Sequence, residues 1–142
     1  MQVENILQSK GMTVHTVTTH APIADAVKLL NTHRIGAVVV LDDNGAVAGI
    51  LSERDVVRHL PEDPGGLMKR AVSEIMTTKV VTSPRAASVS DLMETMTRFR
   101  IRHIPIVEDD KLVGIVSIGD VVKRKIEETE QEALALREYI AS

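Results

Sequence analysis

Apolar and polar positions along this chain follow two periods, and the switches between them outline its elements. Residues 3–8 place Val3, Ile6 and Leu7 on one side of a short helix, which Gly11 ends. Residues 12–18 (MTVHTVT) are β-branched and alternating, a short strand. Pro22 opens residues 23–33, where Ile23, Ala26, Val27 and Leu30 recur at three- and four-residue steps, an amphipathic helix with proline near its first turn. Residues 35–41 are an uninterrupted apolar run, the pattern of a strand buried on both faces. Asp42-Asp43-Asn44-Gly45 predicts a hairpin turn in which Asn-Gly supplies the positive φ angles. Residues 46–51 return as a strand, and Ser52 starts a helix, SERDVVRHL, with Val56, Val57 and Leu60 facing inward.

The same order then returns. IGAVVVLDDNGAVAGILSERDVV at residues 35–57 reappears as IRHIPIVEDDKLVGIVSIGDVV at residues 101–122. The offset is 66 from Ile35 to Ile101 and 65 from Asp55 to Asp120, because the second turn is one residue shorter. In this register Val14, Thr16, Ala21, Asp25, Arg34, Ile35, Asp43, Gly49, Ile50, Ser52, Asp55, Val56 and Val57 each meet an identical residue. An internal duplication therefore sets the architecture. Residues 80–82 repeat the first strand, 89–99 the helix, 103–107 and 112–116 the hairpin about Asp109-Asp110, and Ser117 the last helix start. Between the copies, PEDPGG at residues 61–66 is a breaker cluster, and residues 67–76 predict one or two helical turns. The last helix runs on through Lys123-Arg124-Lys125 into EETEQEALALREYI, with a partner-seeking stripe at Val122, Ile126, Ala133, Leu136 and Ile140. The expected organisation is an N-terminal helix over 1–11, repeats over 12–60 and 76–126, a linker over 61–75, and a helical extension over 127–142.

Composition narrows the function. At 142 residues with 44% hydrophobic positions, the chain can bury a real core as one compact domain or two small ones that share it. A net charge of −3 argues against a general nucleic-acid binder, and Phe99 and Tyr139 are too few aromatics for a base-stacking platform. The absence of cysteine excludes disulfides, thiolate metal sites and Cys nucleophiles. The N-terminus carries no signal pattern and no run approaches the length of a membrane span, so a cytoplasmic protein with no membrane partner is expected. No Walker loop, no Gly-x-Ser-x-Gly and no close Ser/His/Asp order predicts catalysis, and His15, His20, His33 and His59 are scattered without metal-ligand spacing. A non-enzyme with neither catalytic cofactor nor metal is expected.

The informative motif is Gly-h-h-Ser-x-x-Asp, with h apolar: Gly49 to Asp55, and again Gly114 to Asp120. It reads two ways. A Ser at a helix N-cap with Asp three residues on resembles a capping box, which needs no ligand. The same helix start offers free N–H groups and a partial positive charge to phosphate, while the carboxylate can hold paired ribose hydroxyls.

Two strand–helix–strand–strand–helix units, each carrying this motif after its hairpin, resemble a stand-alone tandem pair of cystathionine β-synthase (CBS) domains over about residues 12–126. The resemblance implies an α/β fold of two β-α-β-β-α repeats packed sheet to sheet about a pseudo-two-fold axis, flanked here by a short N-terminal and a long C-terminal helix. It implies a regulatory module, not an enzyme, that binds an adenosyl compound in clefts between the repeats. AMP, ADP, ATP, S-adenosylmethionine or, in some members, NAD(H) are the ligands expected. Occupancy would be passed to an unknown regulated protein, and such modules often pair as homodimers.

By this resemblance Asp55 and Asp120 match the ribose-binding aspartates, and Ser52 and Ser117 the phosphate-side hydroxyls. Thr16, Val17, Ile35, Gly36 and Ala37 in the first repeat, and Val81, Thr82, Arg102, His103, Ile104 and Pro105 in the second, match the cleft walls. Arg102, His103, Arg100 and Arg54 are cations where phosphates are expected, or else solvated residues flanking strands. Glu53-Arg54 beside Asp55 against Ile118-Gly119 beside Asp120 implies that the two clefts do not bind the same species equally. The alternative reading is a nucleotide-independent dimerisation or adaptor domain in which Ser-x-x-Asp serves only as a cap.

Overall fold

In the computed structural model, which describes residues 1–141, α1 (Val3–Lys10), β1 (Thr16–Thr18), α2 (Ile23–His33), β2 (Ala37–Leu41), β3 (Val47–Ser52) and α3 (Glu53–His59) come first. After 3-10 turns at Leu60–Glu62, Leu67–Lys69 and Val72–Glu74 come α4 (Val89–Phe99), β4 (His103–Glu108), β5 (Lys111–Ser117) and α5 (Ile118–Ala141). The chain divides into two compact units. One is Thr13–Val81 with Glu108–Val113; the other joins Met1–Met12 to Thr82–Val107 and the chain from Gly114 onward.

In the first of these units β1 pairs parallel with β2, Val17 opposite Val40, and β2 pairs antiparallel with β3, Val39 opposite Ile50. The parallel pair requires a crossover, which α2 supplies. Val38, Val39 and Val40 are fully buried, so the apolar run of β2 follows from burial of both faces. Ile23, Ala26 and Leu30 of α2 pack into a core with Val17, Val38, Val40 and Leu51, which Leu67, Val72 and Ile75 from the 3-10 turns complete. The β1 ladder covers only Thr16–Thr18, and residues 12–15 take no part in it.

Two expectations for this unit fail. Val57 and Leu60 do not face inward: they are 67% and 44% exposed. The buried residue of α3 is Asp55, and Val57 lies about 200° further round a 3.6-residue helix. In the first hairpin Gly45 alone takes a positive φ, 80°, and Asn44 does not. Asp42 Oδ1 holds that turn, accepting N–H bonds from Asn44 at 2.9 Å and Ala46 at 3.0 Å. The shorter second hairpin carries positive φ at both Asp109 (49°) and Asp110 (63°), a left-handed pair that glycine occupies at lower cost. Asp110→Gly is therefore expected to raise unfolding stability by about 0.5–1 kcal/mol in a denaturant titration.

In the other unit α1 is tied to the loop before α4. Val3 N–H donates to Ala87 O at 2.9 Å, and Val89 N–H to Met1 O at 2.9 Å. Val3, Ile6 and Leu7 are buried, as are Val89, Leu92 and Met96 of α4, whose N-cap Ser88 accepts from Asp91 N–H. The strand expected at residues 80–82 does not form. Ser83 makes a single parallel bridge to Ile106, through Ser83 N–H to Pro105 O at 3.1 Å and Val107 N–H to Ser83 O at 3.0 Å. Pro105 has no N–H with which to extend that ladder backwards. Helix α5 buries Val121 near its start, and every described residue from Thr129 onward is exposed. Among the described residues no helix is long and apolar enough to cross a membrane.

Candidate functional site

Each Ser-x-x-Asp closes as a capping box, because strand β3 or β5 ends on an extended serine that turns directly into a helix. At Ser52 (φ −107°, ψ 163°) the hydroxyl accepts Asp55 N–H at 3.2 Å, and Asp55 Oδ2 accepts Ser52 N–H at 3.0 Å. Asp55 is buried and takes a further bond from the Thr77 hydroxyl, 3.3 Å from Oδ1 and 3.4 Å from Oδ2. Thr77 is held by reciprocal backbone bonds with Ile50, at 3.0 and 2.9 Å. This close approach needs Gly49: a Cβ there would lie 2.6 Å from Met76 Sδ and 2.9 Å from Thr77 O. Ala37 pairs with Ser52 across β2 and β3, and Gly36 O accepts Glu53 N–H at 3.0 Å. Ile35, Gly36, Ala37, Ser52 and Asp55 thus gather at one end of the sheet. Thr16 and Val17 lie on the adjacent β1, pairing with Val39 and Val40, and Arg54 is exposed on α3.

The second box has the same geometry and a different charge. Asp120 Oδ2 accepts Ser117 N–H at 2.9 Å and the Ser117 hydroxyl at 3.0 Å, while Asp120 N–H donates to Ser117 Oγ at 3.2 Å. Lys10, from the end of α1, places Nζ 2.7 Å from Asp120 Oδ2 and 3.0 Å from Ile115 O. All three side-chain contacts converge on Oδ2, and among the described residues Oδ1 accepts none. Burial alone would raise the Asp120 pKa, but the Lys10 ammonium and the Ser117 N–H and hydroxyl outweigh it and hold the carboxyl below its ordinary range. A hollow of about 50 Å³ beside the pair is lined by Lys10, Lys123 and Arg124 together with Asp120 and Glu127. Among the described residues no cation is bonded to Asp55, whose extra partner is a neutral hydroxyl.

Arg102 O accepts Ile118 N–H at 2.8 Å, the role Gly36 O plays in the first repeat. His103 begins β4, Ile104 and Pro105 are buried within it, and Gly119 is exposed in the first turn of α5. Arg100 is the left-handed C-cap of α4 (φ 54°), and Arg34 does the same for α2 (φ 52°). Val81 is half-buried and Thr82 exposed; the ladder position of Val17 is taken in the second repeat by Ser83, which is buried and was not among the expected residues. Lys10 and Thr77 were missed as well. Both precede the first strand of a repeat, and neither has an identical residue in the repeat register. His15 and His33, scattered in sequence, stack with ring centroids 3.6 Å apart.

The family model for the CBS domain matches twice, over residues 4–62 and 72–127. The chain belongs to the CBS domain family. It carries two CBS repeats, and the matches begin within α1 and end within α5. The Arabidopsis thaliana mitochondrial CBS domain-containing protein CBSX3 is 36% identical over 97% of this chain and 71% of its own. The crystal structure of the CBS-domain containing protein ATU1752 from Agrobacterium tumefaciens superposes with a TM-score of 0.83 at 42% identity, over 87% of this chain and 92% of that one. The CBS domain pair of MJ0100, solved in complex with 5′-methylthioadenosine and S-adenosylmethionine, superposes with a TM-score of 0.80 at 26% identity, over 90% of this chain and 98% of that one.

Proposed function

We propose that this CBS pair is a regulatory, non-catalytic module that binds adenosyl ligands through its two Ser-x-x-Asp helix starts and passes their occupancy to a partner protein. The observation that carries the reading is the half-engaged carboxylate of Asp120. Its Oδ2 is fixed by Ser117 and Lys10, so Oδ1 is oriented, ionised and able to accept a pair of ribose hydroxyls. At the start of α5 the N–H groups of Ile118 and Asp120 are already bonded within the fold, which leaves the Gly119 N–H and the positive end of the helix dipole to suit a phosphate. Gly36 and Ala37 in one unit, and Ile104 and Pro105 in the other, would each offer an aliphatic wall to an adenine at their own box, with Thr16, Val17 and Val81 extending the first wall and Thr82, Arg102 and His103 the second. The adenosyl compounds bound by MJ0100 support the ligand class. Lys10, Lys123 and Arg124 beside Asp120, against Thr77 beside Asp55, favour a phosphate-bearing ligand such as AMP, ADP, ATP or NAD(H) at the Asp120 box and an uncharged or cationic adenosyl compound at the Asp55 box.

A second reading is favoured by one observation: both boxes are satisfied caps without any ligand, as an adaptor domain would need. A thermal-shift panel of AMP, ADP, ATP, NAD⁺, NADH, S-adenosylmethionine and 5′-methylthioadenosine separates the two. A ligand at 100 times its Kd adds about 2.7 kcal/mol of stability, a rise of about 5–10 °C in Tm for a domain of this size. Shifts that split into a phosphate-bearing and a non-phosphate class are expected, and a flat panel would leave the adaptor reading. Coupling to a partner further requires unequal affinity for two conformations.

A further inference from the structure

We propose that the free half of α5 forms a parallel two-stranded coiled coil with a second copy of this chain. The helix is 24 residues long, about 36 Å, and only its first turns are packed against its own unit. On its outer face, from alongside these packed turns to its end, Val122, Ile126, Thr129, Ala133, Leu136 and Ile140 recur at alternating four- and three-residue steps, which is the a/d seam of a heptad pattern. All six are exposed, Leu136 at 60% and Ile140 at 75%. The seam is distinct from the face that buries Val121 on its own unit.

The residues beside the seam choose the occupant and its direction. With Ile126, Ala133 and Ile140 at a, the g positions are Lys125, Glu132 and the uncharged Tyr139, and the e positions are Lys123, Glu130 and Arg137. In a parallel pair each g residue meets the following e residue of the other helix. Lys125 then faces the partner's Glu130, and Glu132 faces the partner's Arg137, both of opposite sign. An antiparallel pair over the same seam would set Glu130 against the partner's Glu130, Glu132 against the partner's Glu132 and Lys123 against the partner's Arg137, all of like sign. A second copy in parallel register is thus the occupant whose charges match, with the two-fold axis along the seam.

The chain has no cysteine, so single cysteines can be introduced without background. Under mild oxidation Leu136→Cys is expected to form a covalent dimer, because d residues face each other in the parallel register. Leu136→Cys that fails to cross-link with itself but does so with Ile126→Cys would mean antiparallel pairing and overturn the proposal. In sedimentation, the wild-type chain is expected to be dimeric and the Ile126→Asp/Leu136→Asp double variant monomeric with an unchanged Tm at low protein concentration. A monomeric wild type, or a double variant that stays dimeric, would overturn it equally. Because these residues are exposed, loss of folding does not confound the test.

Discussion

Gly49→Ala is expected to destabilise the protein by about 1–3 kcal/mol, toward the upper end, whereas Gly114→Ala should cost less. The two glycines are equivalent in the duplicated motif, so the difference comes from what crosses them. A Cβ on Gly49 would meet Met76 Sδ at 2.6 Å and the carbonyl oxygen of Thr77 at 2.9 Å. The sulfur can move, but the carbonyl is backbone and is pinned by its hydrogen bonds to Ile50. A Cβ on Gly114 would meet Leu7 Cδ2 at 2.6 Å, the end of a side chain that can change rotamer. Displacing Thr77 would also withdraw its hydroxyl from the buried Asp55 carboxylate, adding the cost of weakening a charge-assisted bond. Urea titrations of both variants test this order. If Gly114→Ala proves the more costly, the Met76-Thr77 segment does not pack on β3 as described.

Much of this geometry was legible before the fold was known, for identifiable reasons. Helices α2 and α4 have the expected bounds because each carries a stripe of core residues with a proline or serine at its start. The duplication and the Ser-x-x-Asp boxes were legible because caps are local, closing over three residues. The contacts that distinguish the two boxes are not local. Lys10 is 110 residues from Asp120, and Thr77 is 22 from Asp55. A side chain reaching across such a separation leaves no periodic trace. Val57 misled because two valines in a seven-residue helix are compatible with several faces, and the face was chosen by burial of Asp55. Residues 80–82 have strand-forming side chains, but the missing N–H of Pro105 decided the pairing, a tertiary effect overriding propensity.

Asp120→Ala is expected to weaken the phosphate-bearing adenosyl ligand by about 100-fold or more, while lowering unfolding stability by only about 1–2 kcal/mol. The first figure follows from losing two hydroxyl bonds to an ionised acceptor, each contributing about 1.5–3 kcal/mol. The second combines the loss of a cap, about 1 kcal/mol, with the loss of a partly exposed ion pair to Lys10, about 0–1 kcal/mol. The pH dependence has a definite sign. Because the folded carboxyl titrates below its unfolded value, about 3.9, its stabilising contribution is complete at neutral pH. It fades as pH falls below that unfolded value and through the folded one. The stability gap between wild type and Asp120→Ala should therefore be flat from pH 7 to 5 and close under more acid conditions. Lys10→Met separates charge from cap. It leaves Ser117 on Asp120, so a non-phosphate adenosyl compound should be little affected there, whereas AMP should lose about tenfold, about 1.4 kcal/mol. Calorimetric titrations of the two ligands on both variants decide the matter. Equal losses for AMP and 5′-methylthioadenosine in Lys10→Met would make the lysine a strut for the carboxylate and remove its role in choosing between ligands by charge.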